Sequence, residues 1–122
     1  MSINIRLFDL IKDKESIASF LKNRAVAHKL DHLESESWFR WKFYQSPYSP
    51  SIMCCVFDDK NVVGCNSYGH YVLVKNKIKI KTIMPYEAFV LDDYQGKGLF
   101  KKLIEMSELE AENHKIEVRL IY

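Results

Sequence analysis

An apolar run, Ala88-Phe89-Val90-Leu91, is cut by Asp92-Asp93, and two of the chain's four glycines, Gly96 and Gly98, then bracket Lys97. A helical pattern starts at once, with Leu99, Leu103 and Met106 on one face. Strand, glycine turn and helix in direct succession constrain the chain more than any other stretch. The order demands an α/β arrangement, and it presents bare backbone N–H groups at a helix N-terminus. Those groups, with the helix dipole behind them, suit a phosphate. A Cβ at either glycine would hold an anion away, and the turn calls for residues that tolerate positive φ. Lys97, Lys101 and Lys102 add charge around the same spot.

Two common phosphate loops fail on residues. A Walker loop needs four residues between its glycines and then Lys-Ser/Thr, whereas here a single residue separates them and Leu99-Phe100 follows. A dinucleotide loop needs a third glycine, where this chain has Lys101. The run Gln95-Gly96-Lys97-Gly98-Leu99-Phe100, following Val90 and Tyr94, resembles the acetyl-CoA loop of the GNAT superfamily of N-acetyltransferases. That loop reads Gln/Arg-x-x-Gly-x-Gly/Ala after a strand of the form Val-x-x-x-Tyr. Phe100 departs from the pattern, standing where Gly or Ala is usual. The competing reading is an ordinary strand-to-helix turn with lysines for solubility.

The rest of the chain predicts β, α, α, β, β, β, loop, α, β. Ile3, Ile5 and Leu7 alternate as a first strand. Ile17, Phe20 and Leu21 recur at helical spacing within 14–29. Ser35 or Ser37 caps a second helix carrying Trp38, Trp41 and Phe43, ended by the prolines Pro47 and Pro50. Ile52 to Phe57 is an apolar strand, and Val62 to Val74 the next. Ile78, Ile80 and Thr82 alternate with Lys77, Lys79 and Lys81, a one-sided strand that Pro85 interrupts and that resumes from Tyr86 to Leu91. After the loop a helix runs to about Asn113, and Ile116, Val118, Leu120 and Tyr122 mark a last strand. This is the GNAT order, so the resemblance implies one α/β domain over 1–122, with a mixed, mostly antiparallel central sheet flanked by helices. In the family a bulge in the fourth strand opens the cofactor slot, a role that suits Pro85. The family normally continues past its fifth strand with a helix and a strand hairpin. The chain ends at Tyr122, so the resemblance implies a domain without its usual last helix and strands. An uncovered fifth strand predicts pairing or a homodimer there.

Composition narrows function by exclusion. A net charge of +2 gives no electrostatic case for nucleic acid, and no apolar run approaches membrane-spanning length. Cys54, Cys55 and Cys65 are odd in number and carry no CxxC spacing, so neither a disulfide framework nor a zinc site is indicated and no metal is expected. Buried, reduced thiols in a cytoplasmic protein are the expectation.

The resemblance implies direct attack of a primary amine on acetyl-CoA, used as co-substrate. Pantetheine would lie along Phe89, Val90 and Leu91, and the pyrophosphate on the N–H groups from Gly96 through Lys97, Gly98, Leu99 and Phe100 to Lys101, in a loop shaped by Gln95. The amine must lose a proton, the carbonyl must be polarised and the thiolate must leave. Glu87 is the candidate base, because burial among Tyr86, Ala88 and Phe89 would desolvate its carboxylate. Tyr122 and His70 are further candidates for proton transfer. His28, His32 and His114 fall in helical, wet segments. The acceptor is read as a small amine, with the Trp41-Lys42-Phe43-Tyr44 segment leaning towards an amino sugar. The alternative is a non-catalytic CoA-binding or protein-interaction module that keeps the loop without turnover.

Overall fold

The computed structural model describes residues 2–45 and 50–116 and the backbone of 118–119. Five strands form one sheet in the order β1 (Ile3–Leu7), β2 (Ile52–Asp58), β3 (Asn61–Lys75), β4 (Ile78–Val90) and β5 (Val118–Arg119). The first three pairings are antiparallel, and β4 pairs with β5 in parallel through Thr82↔Val118 and Ile83↔Arg119. Helices α1 (Ile17–Ala27) and α2 (Glu36–Tyr44) lie between β1 and β2 in the chain, and α3 (Leu99–Asn113) lies between β4 and β5.

The strand period of two divides the core into two layers. Cys55 and Phe57 of β2 pack with Phe20, Phe39 and Phe43 of the first two helices, together with Phe8 and Phe89. Cys54 and Val56, alternating with them, pack against Leu99 and Leu103 of α3. Because β2 is covered on both faces, its sequence is a continuous apolar run rather than an alternating one. The aromatic layer is the denser: Phe20 meets Phe39 and Phe43 edge-on, with ring centroids 5.2 and 5.7 Å apart. Truncating one of these phenylalanines to alanine costs about 3 kcal/mol. All three thiols are free and buried, and burial pushes Cys54 up to about 11 and Cys55 well above the ordinary thiol value.

Local chemistry sets the boundaries. Ser35 caps α2, its Oγ accepting from the Trp38 N–H at 3.1 Å. Asn76 and Lys77 both hold positive φ, 51° and 67°, which is the turn that joins twisted strands without splaying them. On α2, Phe39 and Phe43 are buried, whereas Trp41, two residues on from Phe39, is 62% exposed. Two expectations are corrected. Pro85 does not interrupt β4, which runs unbroken from Ile78 to Val90. Ile78 is exposed at the hairpin tip, because the apolar face of β4 is covered only further along the strand. The end of α2 at Pro47 and most of the last strand, including Leu120 and Tyr122, lie outside the described residues.

Candidate functional site

The glycine loop is built almost wholly from local backbone. A 3-10 turn spans Asp92–Tyr94, and the Tyr94 hydroxyl donates to Asp58 at the far end of β2. Gln95 Nε2 donates to Val90 O at 2.9 Å and to Asp92 Oδ1 at 3.3 Å, tying the loop to the end of the strand it leaves. Gly96 and Gly98 take φ of +76° and +73°, and no heavy atom lies within 4 Å of where a Cβ would stand on either. The glycines therefore answer a backbone need, and the space beside them is open. Gly98 is the N-cap of α3 and offers no side chain to it. The first intrahelical bond is Lys102 N–H to Gly98 O at 3.3 Å, so the N–H groups of Leu99, Phe100 and Lys101 precede any helical partner. Leu99, buried with Leu103 against the sheet, holds that turn in place, while Phe100 and the Lys101 side chain stay exposed. Lys97 Nζ stands 5.6 Å from the Tyr94 ring centroid.

Two grooves adjoin at this loop. One, of about 410 Å³, is lined by Tyr94, Gly96, Gly98, Leu99, Phe100 and Lys101. The other, of about 520 Å³, runs between the end of α1 and the last third of β4, past His28, Ala88, Phe89 and Leu91 to Asp92 and Asp93. Val90 and Gln95 line both. The ladder decides which backbone groups face them. Leu91 N–H donates to Val63 O at 2.9 Å, so in the antiparallel alternation the polar groups of Val90 and Ala88 turn away from β3 while those of Phe89 turn towards it. Of Phe89, Val90 and Leu91, only Val90 presents backbone polarity on that edge. Phe89 instead contributes a buried ring, 5.7 Å from Phe20.

The bulge expected in the fourth strand follows Pro85. The β3–β4 register shifts between Asn66 and Tyr68, where Tyr68 faces Pro85 and Asn66 faces Ala88. A side chain closes the gap in the ladder: Glu87 N–H donates to Ser67 Oγ at 2.9 Å, and Ser67 Oγ donates to Glu87 O at 3.1 Å. The bulge re-aims Glu87. Its carboxylate is buried, 7% exposed, but its surroundings are cationic rather than apolar. Arg24 Nε donates to Oε1 at 2.8 Å, Lys42 Nζ lies 3.5 Å from the same oxygen, and His28 Nε2 lies 3.0 Å from Oε2. Trp38 backs the cluster, with the Arg24 guanidinium 4.5 Å from its ring. A buried carboxylate is stable only when paired in this way. Arg24, His28, Trp38 and Lys42 carry no signal in the sequence beyond the helical spacing of Arg24 and His28. His28 has the wet setting expected of it, its side chain 36% exposed, and its Nε2 is also bonded to Glu87.

The other histidines stand apart. His70 is buried on β3 with its ring 4.9 Å from that of His114, and burial with His114 and Lys81 nearby lowers its pKa. His32 is held between Asp31 and Glu34 at the surface, which raises its pKa. Tyr122, the second candidate for proton transfer, lies outside the described residues.

No protein-family model and no curated protein matches the sequence. Solved structures do match. Glucosamine-6-phosphate N-acetyltransferase from Arabidopsis thaliana superposes with a TM-score of 0.74 at 16% identity, over 100% of this chain and 82% of that one. An aminoglycoside 6'-N-acetyltransferase from Acinetobacter baumannii gives 0.71 at 13% identity, over 99% and 79%. A ribosomal-protein-alanine N-acetyltransferase from Brucella melitensis gives 0.66 at 21% identity, over 99% and 79%. The likeness runs over the whole of this chain, and the chain has the GNAT fold.

Proposed function

We propose that the domain transfers acetyl from acetyl-CoA to a primary amine by direct attack. The observation that carries this reading is the turn at Gly98, where backbone N–H groups ahead of the first helical bond open onto a groove continuous with the edge of β4. The pyrophosphate of the co-substrate fits the N–H groups between Gly96 and Lys101, with Lys97 and Lys101 as nearby charge. Its pantetheine amides fit the turned-out polar groups of Val90 and Ala88, with Phe89 and Leu91 as packing. A strand N–H on that edge is the natural donor to the thioester carbonyl. Asp92 and Asp93, which line the groove, favour an acceptor that arrives as a cation. A small amine such as an amino sugar meets that need, and structures of the same fold include enzymes for glucosamine-6-phosphate and aminoglycosides. The buried thiols accord with a cytoplasmic setting.

Thermal unfolding with and without acetyl-CoA tests the reading. A ligand that binds only the folded state stabilises it by about 2.7 kcal/mol at a hundred times its Kd. A midpoint that rises with acetyl-CoA, and thiol release on adding an amine, support an acetyltransferase. A rise without thiol release from any amine supports a non-catalytic CoA-binding module instead. No rise at millimolar ligand overturns both. Tyr122→Phe reports whether that residue moves a proton, and sedimentation reports whether copies pair along the fifth strand.

A further inference from the structure

Glu87 is the buried carboxylate of the site, but both its oxygens are engaged. Among the described side chains bonded to its carboxylate, His28 is the one that also lines the groove. We propose that His28 is the group that takes the proton from the acceptor amine, and that Glu87 is a positioning residue which holds the His28 ring for it. The inference rests on the acetyltransferase reading above and assigns the proton transfer within it.

Three observations carry it. His28 lines the same groove as Ala88 and Val90, the residues whose backbone polarity faces the proposed thioester. Its Nε2 lies 3.0 Å from Glu87 Oε2, and the ring stands edge-on to Phe89 with centroids 6.1 Å apart, so its plane is fixed from two sides. Glu87 is itself immobilised by Arg24 and Lys42 on its other oxygen and by Ser67 on its backbone. A carboxylate only accepts, so the Nε2–Oε2 contact selects the tautomer of the neutral ring that has its hydrogen on Nε2. Nδ1 is left with a lone pair and, among the described residues, no partner. A base built this way is one-third open to the groove, whereas the Glu87 carboxylate is sealed beneath it.

The step balances simply. An ammonium proton passes to Nδ1, the freed amine forms its bond to the acetyl carbon, and the carbon–sulfur bond breaks. The nitrogen's second proton goes to the departing thiolate and His28 gives its proton up to solvent, so the sum is ammonium plus thioester to amide, thiol and one released proton. The charged groups around His28 are Glu87 on β4, Arg24 and Lys29 on or beside α1, Lys42 on α2, and Asp92 and Asp93 of the loop.

The test compares wild type with His28→Gln over pH. Thiol release from acetyl-CoA is followed with glucosamine-6-phosphate, sisomicin and an alanine-terminated peptide, using whichever amine is fastest. His28→Gln should lower kcat/KM about 100-fold near neutral pH, where an imidazole can still accept a proton and the amine is protonated, the scale of a positioned general base. The deficit should shrink as pH approaches the amine's own pKa, because a neutral amine needs no base. A purely structural residue would give a deficit independent of pH, and that result, or an unchanged rate, overturns the proposal. Imidazole nitrogen spectra give a second reading that needs no turnover. Wild-type His28 should hold its hydrogen on Nε2, and Glu87→Gln should release a mixture of tautomers. A dominant Nδ1–H form in wild type overturns the assignment. Failure of wild type to release thiol with any of the amines overturns the acetyltransferase reading itself, and this proposal with it.

Discussion

The glycine loop follows directly on the strand that carries Glu87, yet the loop and the Glu87 cluster are built in opposite ways. The loop works through main-chain groups of consecutive residues. Its side chains matter where glycine supplies φ, Tyr94 reaches Asp58, Gln95 ties the strand end and Leu99 anchors the helix. The cluster works through side chains drawn from α1, α2 and a bulge in β4, and none of its members has meaning without the others. The difference teaches where each should break. Damage to the loop removes a binding surface from a folded protein, whereas damage to the cluster leaves charges stranded in the interior.

The sharpest way to break the contrast is to remove the carboxylate. Glu87→Ala leaves Arg24 and Lys42 facing a buried void, and urea unfolding should show a loss of about 3 kcal/mol. A loss below 1 kcal/mol would mean that the cluster is not a structural unit. Gly98→Glu should do the reverse. It places a carboxylate where an anion is to sit, and the acetyl-CoA-dependent rise in melting temperature, about 2.7 kcal/mol of stabilisation at a hundred times Kd, should vanish. Retention of that rise would dissociate the loop from cofactor binding. Gly96→Ala isolates backbone strain from ligand contact. Nothing lies near its Cβ, so only the left-handed φ costs, about 1 kcal/mol of stability by calorimetry.

A residue in neither region calibrates the acid response. Arg6 grips Asp13 with two bonds of 2.6 and 2.7 Å, and the Asp13 carboxyl is held below its ordinary range chiefly by that bond. A carboxyl depressed in the folded state stabilises at pH above its unfolded value, about 3.9. That contribution is lost as pH falls through the folded value. Asp13→Asn should flatten the acid limb of the stability profile below about pH 4. His70 is the smallest case. Its pKa is lowered by burial, so it remains neutral in the fold, and stability should fall as pH drops below about 6.5, the unfolded histidine value. His70→Gln should remove that slope, and a profile with the slope intact would assign it elsewhere.

Much of this was legible in advance because it is local. Alternation along Ile3, Ile5 and Leu7, the cap at Ser35, and the end of α3 at Asn113 follow from neighbours in sequence, and they are where expected. Which aromatics of α2 face the core is not legible, because a short helix with several aromatics fits more than one rotation, and only packing against Phe20 and Phe43 selects Phe39 over Trp41. Pro85 reads as an interruption or a bulge because a proline cannot donate to a ladder, and the bulge is there. It is tolerated inside a continuous strand because the ladder already slips there, and the Ser67 hydroxyl bonds Glu87 across the bulge.

From the sequence alone came the element order, the apolar run of β2 and the glycine turn, since each depends on periodicity or on the φ a residue can adopt. Only the tertiary structure decided that Val90 rather than Phe89 or Leu91 turns its backbone to the groove, and that Glu87 is reached through His28. The reason is one of distance along the chain. A backbone site is encoded by neighbours, but hydrogen-bond register and the meeting of residues 24, 28, 42 and 87 exist only once the strands have paired and the helices have packed.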